Sequence, residues 1–154
     1  TSSLQIEDGG IPMCAAGTSR YAPTENSIKS AKVIQSQIQG MKALLESNEE
    51  LFEVHLKNAV ALEEQTDFPA GPPRITKPAF EQYGEWLLDQ GDYAEANKQF
   101  DKALMRMPRR SKSLIGKMTA HKALNQNEKL EEVVSELQSI LAHADLEVRS
   151  LLPD

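Results

Sequence analysis

The sequence predicts an all-α fold. Two observations carry that reading. Alanine, leucine, glutamate, glutamine and lysine, all strong helix formers, dominate the 154 residues, and β-branched runs bounded by turn residues are missing. Apolar residues also recur at spacings of three and four in six successive segments, the period of a helix with one buried stripe.

The elements follow in order. Residues 1–24 hold Gly9-Gly10, Pro12, Gly17 and Pro23 and read as a loop or extended arm ahead of a helical domain over 25–154. From Thr24 a first helix carries Ile28, Ala31, Ile34, Ile38, Met41 and Leu45 as its expected buried stripe. Ser47 and Glu50 have capping-box spacing and open a second helix through Leu51, Phe52, Leu56, Ala59, Val60 and Leu62. Three prolines and Gly71 make 67–76 an insertion that no helix crosses, expected on the surface and pinned by Phe68 and Ile75. Pro78 suits the first turn of a third helix with Phe80, Tyr83, Gly84, Leu87 and Leu88. Gln90-Gly91 stops it, and Asp92 caps a fourth with Tyr93, Ala96, Phe100, Ala103, Leu104 and Met107, which Pro108 ends. Ser111 starts a fifth helix with Leu114, Ile115, Met118 and Leu124. Asn127 starts a sixth with Leu130, Val133, Val134, Leu137, Ile140 and Leu141, and 145–152 reads as a short terminal turn.

Size and charge bound the rest. One domain of this length has room for a real core. A net charge of −6 argues against bulk binding to nucleic acid, and no apolar run approaches the ~20 residues of a membrane span. The single cysteine, Cys14, fits a reducing compartment such as the cytoplasm. Because the chain opens at Thr1, a processed periplasmic or exported protein stays open.

Six helices in three pairs invite a search for repeats. A shift of 34 places Phe80 on Leu114, Ala96 on Leu130, Phe100 on Val134 and Ala103 on Leu137. A backward shift of 44, which absorbs the insertion, places Gly84 on Gly40, Leu88 on Leu44, Phe100 on Leu56 and Ala103 on Ala59. The repeats are therefore 33–66, 77–110 and 111–144.

The middle repeat runs Phe80-x-x-Tyr83-Gly84-x-x-Leu87, then Gly91-Asp92-Tyr93-x-x-Ala96-x-x-x-Phe100-x-x-Ala103-Leu104-x-x-x-Pro108. This closely resembles the tetratricopeptide repeat (TPR), in which small residues let two antiparallel helices approach, an aromatic fills the gap and a proline ends the pair. The flanking repeats depart from the pattern: Met118 replaces the small glycine, Asn125-Gln126-Asn127 replaces Gly-Asp-Tyr, and Phe52 stands where the small alanine belongs. The insertion, with Gly71-Pro72-Pro73 before Lys77-Pro78, is similar to one in bacterial TPR proteins of uncharacterised function. The resemblance implies a right-handed superhelix of antiparallel helix pairs, first helices lining a concave groove, and a protein or peptide as ligand.

On that arrangement the groove offers Glu81, Glu85 and Asp89 from one first helix and Lys112 and Lys122 from the next. The residues from Lys98 to Lys122 include eight basic side chains opposed only by Asp101, a net of +7 in a chain that totals −6. These cations, Arg109 and Arg110 among them, either pair with the acidic sixth helix through Glu128, Glu131, Glu132 and Glu136 or form a docking patch for an acidic partner. Aromatic residues are not interleaved with them, which disfavours nucleic-acid stacking. The carboxylate clamp of chaperone-binding TPRs would fall on Gln37, Met41, Gln82, Lys112 and Gly116, and only Lys112 matches. His55, His121 and His143 share no metal-ligand spacing, and Cys14 has no neighbouring base, so neither metal, cofactor nor catalysis is expected. The alternative to a peptide-binding scaffold is a structural segment of a larger enzyme or assembly factor that only packs or oligomerises. An exposed apolar face over 28–45 would favour that alternative; a continuous polar-rimmed groove would favour the scaffold. The oligomeric state is left open.

Overall fold

The computed structural model describes residues 23–68 and 76–142, with the backbone alone of 13–14 and 17–18. Among these residues lie six helices: α1 (Glu25–Leu45), α2 (Glu49–Glu64), α3 (Ala79–Asp89), α4 (Tyr93–Arg106), α5 (Ser111–Ala123) and α6 (Asn127–Leu141). In the expected N-terminal arm, β1 (Met13–Cys14) and β2 (Gly17–Thr18) instead pair antiparallel, with Met13 opposite Thr18. Two intervening residues are the spacing of the tightest hairpins. The expected turn at 145–152, Ile75, the surface course of the insertion and the side chains of Cys14 and His143 lie outside the described residues.

Each helix packs on the next in chain order, and α3 also packs on α5. Three-residue connections make α1–α2, α3–α4 and α5–α6 antiparallel hairpins. The three connections share one geometry. Ser47, Gly91 and Asn125 take positive φ (57°, 79° and 54°). The next residue in each closes the spent helix with the same long-range bond: Asn48 N–H to Ala43 O, Asp92 N–H to Leu87 O, Gln126 N–H to His121 O. These positions are related by the same shifts of 44 and 34.

Asp92 caps α4 as expected, accepting from Glu95 N–H at 3.1 Å. The start of α2 differs from expectation. Asn48 is its cap, accepting from Leu51 N–H at 3.0 Å, because Ser47 is used one step earlier as the left-handed residue closing α1. No capping box forms through Ser47 and Glu50.

The burial of α1 also differs. Its buried residues are Val33, Ser36, Gly40 and Ala43, while Ile28, Ile34, Ile38, Met41 and Leu45 are exposed. The expected stripe lies on another side of the helix, because α2 approaches through the small residues: a Cβ on Gly40 would stand 3.2 Å from Phe52 Cδ2. Ser36 takes part in this contact by donating to His55 O, and Asn58 donates to Ser36.

One core runs through α1–α4, and a second joins α5 and α6 under Leu104. Phe100 sits between Gly84 of α3 and Gly116 of α5. A Cβ on Gly84 would lie 2.9 Å from the Phe100 ring, so the aromatic residue fills the gap at this glycine. A Cβ on Gly116 would lie 2.2 Å from the same ring, so Gly116 supplies the small surface that Met118 was thought to have removed. In the first hairpin the large residue sits one turn earlier: Phe52 packs on Gly40 and meets Trp86 edge-on, ring centroids 4.9 Å apart.

Candidate functional site

The first helices of the hairpins, α1, α3 and α5, are joined side by side by polar side chains. Gln37 of α1 donates to Lys77 O at 3.2 Å and to Gln82 Oε1 of α3 at 2.8 Å. Glu81 of α3 is fully buried and accepts from Arg110 Nε (2.6 Å) and Nη2 (2.9 Å) and from Ser113 Oγ (2.6 Å). Burial alone would push the Glu81 carboxyl up. The hydrogen bonds from Arg110 and Ser113, with the Arg110 charge, outweigh it and hold the carboxyl below the usual glutamate range.

This changes the expected groove. Glu81 is an internal joint, since a carboxylate beside α5 finds a guanidinium fork there and is stabler bonded than solvated. Arg110 is its partner and is correspondingly spent. Glu85 pairs with Lys77 across the start of α3. Asp89, Arg109, Lys112 and Lys122 are exposed, and no ion pair involves them among the described residues.

The other cations of the basic run find partners, but not those expected. Lys98 pairs with Glu95, Lys102 with Glu64 and Lys117 with Asp101. Arg106 donates to Thr66 O at 2.9 Å and lies 4.8 Å over the ring of the exposed Phe68, so Phe68 meets α4. None of these ion pairs reaches Glu128, Glu131, Glu132 or Glu136. Their partners stand on α2 and α4 instead, and the α6 glutamates are exposed.

The unused surface of the first helices is mixed. Along α1, Ala31, Ile34, Ile38, Met41 and Leu45 make an exposed apolar seam, with Ile38 at 64% and Leu45 at 84% exposure. In the repeat register Met41 and Leu45 occupy the places of Glu85 and Asp89. Sequence reasoning missed Gln37, Ser113, Glu63 and Gly116. The shift of 44 carried a signal for the first, since it lays Gln37 on Glu81.

Depressions mark the surface of the described residues. One of about 40 Å³ between α1 and the start of α3 has room for a water or so. Another, about 460 Å³, is lined only by the consecutive residues 125–129, so no side chains converge on it from separate elements. Among the described residues no three His, Cys, Asp or Glu side chains are grouped to hold a metal, and no helix is long and apolar enough to cross a membrane. His121 is buried and bonded to Gln126 at 2.8 Å.

Compared with protein-family models and with curated proteins, the chain matches no family and no relative.

Proposed function

We propose that this chain is a TPR-type scaffold whose first helices bind a segment of another protein, without catalysis. Three observations support the TPR reading: the turns repeat at shifts of 44 and 34, the hairpins pack in chain order, and α1, α3 and α5 are bonded side by side. The observation that carries the binding role is the set of first-helix side chains left without internal partners. Ile38, Met41 and Leu45 on α1, Asp89 on α3 and Lys112 on α5 offer apolar, acidic and basic contacts on helices that are otherwise packed. A photo-crosslinking amino acid placed at Asp89 or Lys112 should form adducts with another protein in cells. The same group at the exposed Glu132 of α6 should not. Crosslinking from Glu132 equal to that from Asp89 and Lys112, or none from any of the three, would refute the proposal.

A second reading is favoured by one of these features. The seam over α1 is the exposed apolar face expected of a segment that packs or oligomerises through its first helix. On that reading α1 is an assembly surface, and only α3 and α5 are free to bind a different protein.

A further inference from the structure

We propose that α1 joins two copies of this chain, antiparallel, through Ile34, Ile38, Met41 and Leu45. The inference rests on the second reading above and gives it an occupant. The seam residues Ala31, Ile34, Ile38, Met41 and Leu45 alternate spacings of three and four. That is the a/d pattern of one helix meeting another. α1 already enters its core by a different set, Val33, Ser36, Gly40 and Ala43, so the seam is surplus to folding the monomer.

The seam is complementary to itself. With two copies of α1 antiparallel and a two-fold axis between positions 39 and 40, Ile34 of one copy meets Leu45 of the other, and Ile38 meets Met41. The axis repeats both layers, giving four, and every layer pairs an isoleucine with an unbranched or γ-branched residue. Isologous closure of this kind stops at the dimer. The flanks raise no like-charge contact: on one side Gln35 falls near Lys42, and on the other Gln37 is held by α3. Antiparallel pairing also opposes the two helix dipoles, which parallel pairing would align. The contact stretch covers 11 residue steps, about 16 Å of helix. An interface of that length is at the small end for specific complexes, so the dimer should be weak, with a dissociation constant on the order of micromolar.

Sedimentation equilibrium of the chain carrying Cys14→Ser, which excludes disulfide dimers, should show a monomer–dimer exchange. Ile38→Glu should weaken it on the order of 100-fold by burying an unpaired charge, and far-ultraviolet circular dichroism should show that this variant keeps its helices. Ile34→Cys copies mixed with Leu45→Cys copies should oxidise to a mixed disulfide, while Leu45→Cys copies alone should not cross-link. A chain that stays monomeric at its highest soluble concentration overturns the proposal, as does a dimer indifferent to Ile38→Glu. Cross-links between identical Leu45→Cys copies overturn the antiparallel register. None of these results touches protein binding at α3 and α5, which crosslinking from Asp89 and Lys112 decides separately.

Discussion

The joint between α1 and α3 and the joint between α3 and α5 occupy the same place in the repeat with different chemistry. Gln37 makes the first, with neutral hydrogen bonds to a backbone carbonyl and to Gln82. Glu81, 44 positions on, makes the second, with a two-pronged ion pair to Arg110 and a bond from Ser113. The first joint sits beside solvent and the second is closed from it. A neutral amide can hold a wet joint at little cost, whereas a charge in a dry one must have every lone pair answered. The equivalence shows that this position stitches neighbouring hairpins and is not free to meet a ligand.

The largest expected effect follows from that contrast. Glu81→Ala leaves the Arg110 guanidinium without its partner and should cost about 3 kcal/mol, read as a loss in urea midpoint. The effect should depend on pH. The folded carboxyl sits below its unfolded value of about 4.3, so its contribution is complete above that pH and disappears as pH falls through the folded value. Wild type should lose melting temperature in that acid range, and Glu81→Ala should lose less there, since most of its loss is already taken. An unchanged acid limb would mean that the joint is not ionic.

Glycine substitutions sharpen the contrast one size smaller. Gly116→Ala drives a methyl into the Phe100 ring, which Gly84 blocks from the other side, and overpacking of this kind costs ~1–3 kcal/mol. Alanine returns about 1 kcal/mol of helix propensity. A net loss of up to about 2 kcal/mol is expected at Gly116, less at Gly84, and close to none at Gly40, where the nearest approach is 3.2 Å. Thermal melts of the three variants should rank in that order; a Gly40→Ala loss equal to that of Gly116→Ala would contradict the packing described.

Gln37→Ala removes only neutral bonds at a half-buried site and should cost about 1 kcal/mol, with no pH dependence. The smallest effect has the opposite sign. Ser47 holds the left-handed conformation that Gly91 holds without strain, so Ser47→Gly should raise stability by up to about 1 kcal/mol. A drop in melting temperature would return the capping role to Ser47.

How much of this was legible depended on whether a residue's role is local. Gly91 and Asp92 act within their own turn, and sequence placed both. The side of α1 that would be buried was not legible, because a 3.6-residue period marks an apolar stripe without saying which neighbour comes to meet it. Here two faces competed, and the small-residue face won the contact with α2. Glu81 read as an open groove residue because its partners lie 29 and 32 residues away. The partners of the basic run were misplaced because chain order hides that Glu64 stands beside Lys102 and Glu81 beside Arg110.

Side chains of α2 and α4 hold the two ends of the passage from α2 to α3. Pro78 offers no side-chain cap, and the first N–H groups of α3 are met by the Glu63 carboxylate, from Ala79 at 2.6 Å and Phe80 at 3.2 Å. Arg106 meanwhile gathers the carbonyls of Thr66 and Asp67 just past the end of α2. The two halves of the protein thus recognise each other by side chains at the very place where the backbone links them. A covalent bond there adds only loop-closure entropy, which grows slowly with loop length. The chain can therefore be cut between Ala70 and Gly71 and its pieces expressed separately. They should reassemble on mixing into the helical content of the intact protein, and Glu63→Gln should weaken that reassembly more than it weakens the uncut fold.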